Sequence, residues 1–423
     1  MNVLLLGNGA REHALAWRLT QSPLCAQLYI APGNGGTEEY GINLPVDTND
    51  FAAVRQAVID HQVRLVVCGP EEPLVRGLQN YFSTDDQLKS VYFIGPSKEA
   101  ARLEGSKAYA KAFMEEYDIP TAGYRRFTVE ESAAGEAYLD EIDGPYVLKA
   151  DGLAAGKGVV ILNDREESKR ELRDMLRGKF GDAGSTVVVE EFLDGIEFSV
   201  FVLTDGESYR ILPVAKDYKR IGAGDTGLNT GGMGSVSHPP FVDADMMRKV
   251  EQRIIQPTLR GIQSRKLDYH GFIFIGLIAV EDEPYVIEYN CRMGDPETQS
   301  VMARLNNDLM QLLLETAEGG LSSAVIDMDD RQAATVVLVS GGYPGPYENG
   351  KEITGLDQVR GSMIFHAGTK SEDDSDLLTD GGRVLSVTSY GDTIQEALAK
   401  SYENARRIHF DGVNFRPDIG FDL

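Results

Sequence analysis

Four short apolar runs in the first hundred residues constrain this chain most: Val3–Leu6, Leu28–Ala31, Leu65–Gly69 and Val91–Gly95. They read as parallel strands buried on both faces. Helix-like stretches lie between them, near Glu12–Thr20, Phe51–His61 and Leu74–Phe82. A β-α-β-α order of this kind predicts an open, doubly wound sheet. Its loops fall at strand carboxyl ends, where such sheets bind ligands. They are Gly7-Asn8-Gly9-Ala10-Arg11-Glu12, Pro32-Gly33-Asn34-Gly35-Gly36 and Gly69-Pro70-Glu71-Glu72-Pro73.

Beyond about residue 103 the pattern changes. A helix is expected near Ser106–Tyr117. Strands are expected at Tyr146–Lys149, Gly158–Leu162, Val187–Leu193, Phe198–Thr204 and Tyr209–Lys216, the last two joined by the turn Asp205-Gly206. Two helices, near Ala244–Arg265 and Pro296–Glu318, bracket a hairpin of Phe272–Val280 and Tyr285–Asn290. This order predicts α+β construction with antiparallel sheets. The remainder, from about 330, offers strands Thr335–Ser340, Met363–His366 and Arg383–Tyr390 and a helix near Thr393–His409. The expected class is therefore α/β and α+β multidomain, at roughly 150 residues per domain.

Charge narrows the partners. With 41 Lys and Arg against 66 Asp and Glu, the net charge is −25. Non-specific binding to duplex DNA or an anionic membrane is disfavoured, so no nucleic-acid and no membrane partner is expected. The longest apolar run, Phe272–Val280, is far short of the ~20 residues a membrane-spanning helix needs. No basic segment precedes Val3–Leu6, which reads as a strand and not a signal peptide. Cys25, Cys68 and Cys291 lie far apart without a CxxC pair, as in a cytoplasmic protein with reduced thiols.

Several motifs carry chemistry. Glu12 stands where the dinucleotide fingerprint wants a third Gly or Ala, and would repel a pyrophosphate. Backbone N–H groups of this turn, with Gly9 and Arg11, suit a single phosphorylated sugar better. Lys149 through Val159 resembles a Walker A loop but fails it, because Gly158 replaces the Ser or Thr and a strand follows. A hairpin flap that closes over phosphates fits instead, with Lys149 as a point charge. Glu288 and Asn290 sit two apart on a strand, hence on one face, and offer oxygens suited to Mg²⁺ with nucleotide phosphates. Arg292, Asp295 and Glu297 follow within ten residues. Lys216, Lys219 and Arg220 flank Asp217 and Tyr218 ahead of a Gly-rich loop, an anion-binding element that could close on substrate. Glu190-Glu191-Phe192-Leu193 ends a valine strand whose backbone could hold a purine, with Glu197 near its ribose. His238 and His366 have no partner at metal spacing and read as structural. No GxSxG, HExxH or Cys–His signature is present.

Taken together, these residues resemble the glycinamide ribonucleotide synthetase (phosphoribosylamine–glycine ligase) family of the ATP-grasp superfamily. The matching stretches include Gly7–Ala14, Gly69-Pro70-Glu71, Leu103–Lys107, Lys149–Val159, Glu190–Gly195, Asn229–Gly234, Glu288–Arg292, Gly294–Gln299, Gly341–Gly345 and Phe365–Thr369, over essentially the whole chain. The resemblance implies an N-terminal open parallel α/β substrate-binding domain (1–102). It also implies a two-part ATP-grasp (103–328) with a mobile lid at about 122–190, and a small C-terminal mixed α/β domain (329–423). It implies ATP contacts from Lys107, Lys149, Gly156, Glu190, Glu191, Leu193 and Glu197. Gly9, Arg11, Glu71, Asp217, Lys219, Arg292 and Asp295 would face glycine and 5-phosphoribosylamine. Glu288 and Asn290 would bind Mg²⁺, with Mn²⁺ as a substitute, and Lys149 and Arg292 would be catalytic. Tyr218 stands where a His is commoner, Leu228 replaces a Pro, and Met293 an aromatic.

The activity so implied is purine-pathway ligation through glycyl phosphate, giving glycinamide ribonucleotide, ADP and phosphate, by a monomer or weak homodimer. A nicotinamide-dependent oxidoreductase would leave Lys149, Glu288 and Asn290 idle. A regulator with a dead site conflicts with the intact polar set at 288–297. Another carboxylate–amine or carboxylation ligase on a purine intermediate is the alternative within the class.

Overall fold

The computed structural model describes residues 1–153, 158–372 and 376–423. Strands β1 (Asn2–Gly7), β2 (Gln27–Pro32), β3 (Ile42–Asn43), β4 (Val63–Cys68) and β5 (Tyr92–Pro96) pair in parallel, in the order β5-β4-β1-β2-β3. Both faces of this sheet are covered. Val3 and Leu5 enter one core with Leu28, Leu65 and Val67, whereas Leu4 and Leu6 enter another with Val66, Val54 and Leu78. Period-two alternation with both faces buried explains why these runs are continuous and not alternating. The helix expected at Leu74–Phe82 is two helices, Glu71–Arg76 and Leu78–Thr84. Gly77, at φ +96°, takes the left-handed conformation between them.

A four-stranded antiparallel sheet follows, with β6 (Tyr124–Thr128), β7 (Tyr146–Ala150), β8 (Val159–Leu162) and β9 (Thr186–Glu191) in the order β6-β9-β7-β8. Helices Ser132–Glu141 and Arg165–Asp174 cover it, around a separate core of Phe127, Leu139, Leu148, Leu172 and Val189. Next come β10 (Ile196–Thr204), β11 (Tyr209–Ile211), β12 (Lys216–Asp217), β13 (Arg220–Gly222), β14 (Thr226–Asn229) and β15 (Gly234–Ser237). The single strand expected at Tyr209–Lys216 is thus two pieces. Pro213 lies between them, and having no N–H it cannot continue a ladder.

The hairpin of β16 (Tyr269–Val280) and β17 (Glu283–Asn290) joins two halves of the molecule. Tyr269 and His270 pair with Pro96 and Gly95 of β5, and the rest of β16 pairs with β10 and β17. One nine-stranded sheet therefore runs from the parallel N-terminal strands into the antiparallel middle. The helix expected at Pro296–Glu318 is broken into Glu297–Arg304 and Leu309–Glu318, with Asp308 capping the second through Gln311 N–H at 3.2 Å. The last sheet holds β18 (Gln332–Val339), β19 (Ser362–His366) and β22 (Arg383–Gly391), with β20 (Thr369–Glu372) and β21 (Asp376–Thr379) as a separate ribbon. This sheet also takes in β12 and β15, in the order β12-β15-β18-β22-β19. The segment that carries Asp217 is consequently built into the C-terminal sheet.

Candidate active site

Alternation along β17 puts Glu288 and Asn290 on one face, opposite Gly276 and Phe274 of β16. The flap strand β7 brings Lys149 to this place, and its Nζ donates to the Ile287 carbonyl at 3.3 Å. Buried Lys149 is also 2.9 Å from Glu190 Oε2, which Lys111 Nζ shares at 3.1 Å. Lys111 donates further to Thr121 Oγ1 (2.7 Å) and the Ala122 carbonyl (3.1 Å). Burial pulls Lys111 down to about 8 despite Glu190. Lys107, on the helix Lys107–Glu116, is likewise lowered by burial, while the charge of Glu288 works against that loss. Asp151 locks flap and helix together, accepting from Ala108 N–H at 2.6 Å and Ser106 Oγ at 3.0 Å.

The Glu288 side chain makes neither a hydrogen bond nor an ion pair among the described residues, although its charge reaches Lys107, Lys219 and Arg292. A half-buried carboxylate left free beside an amide oxygen is a hard, all-oxygen donor pair. This suits a cation that completes its shell with phosphate oxygens and water. Glu288 and Asn290 thus fit Mg²⁺.

Arg292 ties the N-terminal sheet to this strand. Its Nη2 lies 2.8 Å from Glu104 Oε1 and donates to Asn290 Oδ1 at 3.2 Å, and its Nε is 3.4 Å from Glu71 Oε2. Glu104 accepts also from the Cys291 N–H at 2.7 Å. Burial raises the Glu104 carboxyl to about 6, with Arg292 holding it back. Burial pushes Glu71 up too, but Arg292 and Arg11 outweigh it and keep it below its usual value.

Lys219 bridges Glu197 Oε2 (2.7 Å) and Asp217 Oδ1 (3.1 Å). Partial burial works against its charge, but Asp217 and Glu197 prevail and raise it, while Lys219 in turn lowers Glu197. Behind them sits buried Glu297, whose Oε1 accepts from Ser199 Oγ at 3.2 Å. Burial, then the charge of Asp217, pushes its carboxyl up. Asp295 is held by Arg383, whose Nη2 is 3.0 Å from Oδ2 and whose Nη1 donates to the Asp295 carbonyl at 2.7 Å.

The turn after β1 differs from expectation. The Gly9 N–H is not free for a phosphate, because it donates to Glu12 Oε2 at 2.8 Å. Arg11 Nε pairs with Glu12 Oε1 at 2.6 Å, and the Glu12 chain fills the space under Gly7, where a Cβ would lie 2.5 Å from it. Glu12 thereby occupies the place a dinucleotide phosphate would need. What Gly9 offers is room: a Cβ there would approach Asp295 Oδ2 to 3.2 Å.

The structure therefore brings Lys107, Lys149, Glu190, Glu197, Asp217, Lys219, Glu288, Asn290 and Arg292 into one connected cluster. Glu71, Arg11, Gly9 and Asp295 border it. Glu191 is exposed on the opposite face of β9, its N–H donating to the Gly123 carbonyl, and Leu193 is half-buried just past the strand. Gly156 lies outside the described residues. Sequence reasoning missed Glu104, Lys111 and Arg383. Lys111 follows Lys107 by four residues on one helix face, a signal that was readable. Arg383 had none, since only the fold brings it to Asp295.

A basic flap hairpin facing an acidic strand, set between a parallel α/β sheet and a small C-terminal sheet, defines an ATP-grasp protein. Models of the phosphoribosylglycinamide synthetase N domain, ATP-grasp (A) domain and C domain match residues 1–104, 105–298 and 333–422. The phosphoribosylamine–glycine ligase of Yersinia pestis is 45% identical over 427 residues, covering 100% of this chain and 98% of the relative. That of Chlorobaculum tepidum is 45% identical over 428 residues, 99% of each. A crystal structure of phosphoribosylamine–glycine ligase from Thermotoga maritima superposes with a TM-score of 0.85 at 36% identity, covering 99% of this chain and 100% of that one. Biotin carboxylase from Campylobacter jejuni shares the fold, with a TM-score of 0.72 at 15% identity over 98% of this chain and 92% of that one. The chain belongs to the phosphoribosylglycinamide synthetase family.

Proposed function

We propose that this chain is an ADP-forming ligase of purine biosynthesis that joins glycine to 5-phosphoribosylamine through glycyl phosphate. The chemistry needs activation, because an amine cannot expel oxide from a carboxylate. Transfer of the γ-phosphoryl group to a glycine carboxylate oxygen makes a mixed anhydride and releases ADP. Attack of the amine on its carbonyl carbon forms the amide bond, breaks the carbon–oxygen bond to phosphate and releases a proton. No protein nucleophile is required. Catalysis rests on positioning and on charge stabilisation.

The observation that carries this reading is the approach of Lys149 Nζ to the Ile287 carbonyl at 3.3 Å, beside Glu288. One triphosphate can then meet Lys149, Lys107 and the Glu288–Asn290 face together. On this reading Lys149 and Lys107 hold phosphate oxygens, and Glu190, 2.9 Å from Lys149 Nζ, aims it. Glu288 and Asn290 would hold Mg²⁺, which supplies charge neutralisation on those oxygens. Glu191 and Leu193 border the adenine and Glu197 the ribose. Arg292 and Asp295, with Asp217 and Lys219, face glycine and the amine, and Gly9, Arg11 and Glu71 line the sugar side. Residues 1–102, 103–328 and 329–423 then act as sugar-binding, nucleotide-binding and closing parts. The deciding experiment is ADP release from the purified chain with each substrate omitted in turn. Release that needs glycine and 5-phosphoribosylamine together supports the proposal. Release with either alone, or with other acid–amine pairs only, overturns it.

A further inference from the structure

We propose that Tyr218 and Asp422 are positioning residues, through which the segment Arg416–Asp422 fixes the one arrangement of the loop that presents Asp217 and Lys219. The inference rests on the reading above, in which those two residues face the substrates. Tyr218 lies between them, and its own side chain turns away from Glu197 into the C-terminal core, 1% exposed. Its hydroxyl donates to Asp422 Oδ1 at 2.8 Å, and Asp422 Oδ2 is 3.2 Å from Lys216 Nζ. Both backbone groups of Tyr218 are tied as well. Its N–H donates to the Gly234 carbonyl at 3.0 Å, and its carbonyl accepts from Met233 N–H at 2.7 Å. The Lys219 carbonyl accepts from Thr230 N–H (2.8 Å) and Oγ1 (2.7 Å).

The same segment grips the far side of the loop. Arg416 is fully buried, with Nε 2.7 Å from Asp418 Oδ1 and Nη1 2.5 Å from Asp225 Oδ1. Its Nη1 also donates to the Arg220 carbonyl at 3.2 Å. Asp418 Oδ2 accepts from Gly224 N–H at 2.6 Å. The guanidinium lies 5.3 Å from the Tyr218 ring centre and 5.4 Å from that of Phe421. Apolar residues of similar volume could stabilise such a base as well or better. An ionic network built on one fully buried guanidinium, with the more exposed Asp418 and Asp225 as partners, is explained by what it specifies, which is a single placement of residues 217–230. A histidine at position 218 would offer Asp422 an imidazole N–H in place of the hydroxyl.

The test compares full-length Tyr218→Phe, Asp422→Asn and Tyr218→His with wild type. Losing a hydrogen bond to a carboxylate predicts about a tenfold fall in kcat/KM for glycine and 5-phosphoribosylamine. ATP affinity should stay within about twofold, and amide exchange at 217–230 should quicken. Tyr218→His should recover most of the loss. Wild-type kcat/KM in folded Tyr218→Phe would overturn the inference, as would equal losses of nucleotide and substrate binding, which signal general loosening. Should Tyr218→Phe not fold, Asp422→Asn carries the same comparison. If wild type releases ADP without needing glycine and the amine, the functional reading fails instead. The exchange rates at 217–230 then still decide the inference, unchanged rates overturning it.

Discussion

Replacing Arg292 by Ala removes the group that, among the described residues, touches Glu71, Glu104 and Asn290 together. Two consequences follow, and they separate by pH. The first is catalytic: losing a preorganised charge at a reacting centre costs ~3 kcal/mol, at least a hundredfold in kcat/KM. The second concerns stability. Glu104 has its carboxyl at about 6 with Arg292 present, against 4.5 unperturbed. Without the guanidinium the opposing charge is lost and burial raises it further, so at pH 7 the folded state loses more than the about 2 kcal/mol that the rise from 4.5 to about 6 already costs wild type. A carboxyl raised in the folded state binds more protons there, so folding gains as pH falls. At pH 5 both proteins carry a neutral Glu104, and the stability gap from this group closes. Urea unfolding at pH 5 and 7, beside ADP-release kinetics at neutral pH, reads both effects. A folded Arg292→Ala protein with wild-type kcat/KM would refute the catalytic argument. A stability gap that persists undiminished at pH 5 would refute the electrostatic one.

Three more outcomes are expected. Glu190→Leu strips the shared counter-ion from buried Lys111 and Lys149, and breaking a buried pair from one side should cost ~3–5 kcal/mol in urea unfolding. Glu288→Gln should lower kcat/KM at least a hundredfold while raising the Mg²⁺ concentration for half-maximal rate, and an unchanged Mg²⁺ requirement would count against Glu288 as a ligand. The third concerns His13, whose Nδ1 accepts from the His366 N–H at 2.8 Å. Burial lowers His13 to about 3, helped by His366, and lowers His366 to about 4. Both stay neutral when folded, whereas the unfolded chain takes up protons below about 6.5. Stability should thus fall from pH 8 to pH 5 by about 2 kcal/mol per histidine, and His13→Gln should flatten that dependence.

The N-terminal sheet was readable because β1, β2 and β4 are apolar on both faces, a pattern few other elements share. The flap hairpin was readable for a different reason, since Gly-rich spacing after Lys149 serves packing poorly. Other elements carried no local mark. Strand β6 reads Tyr-Arg-Arg-Phe-Thr, and its arginines lie exposed on a sheet edge, so neither period stands out. Strands β12 and β15 are short; β12 pairs with β15, and β15 pairs with β18 across some hundred residues, which no local window can register. In the site, Glu288, Asn290 and Arg292 announced themselves by crowding polar groups onto the end of an apolar strand. Glu104 and Arg383 act only through partners brought from elsewhere in the chain. At the Gly7–Glu12 turn the sequence offered the Gly9 N–H to a phosphorylated sugar, and nothing in its spacing showed that Glu12 would take that N–H for itself.

The activation step can be followed directly by an oxygen label. Glycine carrying oxygen-18 in its carboxylate, turned over with ATP and 5-phosphoribosylamine, should deliver one labelled oxygen to each phosphate released, because the anhydride oxygen leaves with phosphorus. Phosphate that forms at the same rate with no label would contradict carboxylate phosphorylation, and with it the clamp of Lys149 and Glu288 on one nucleotide.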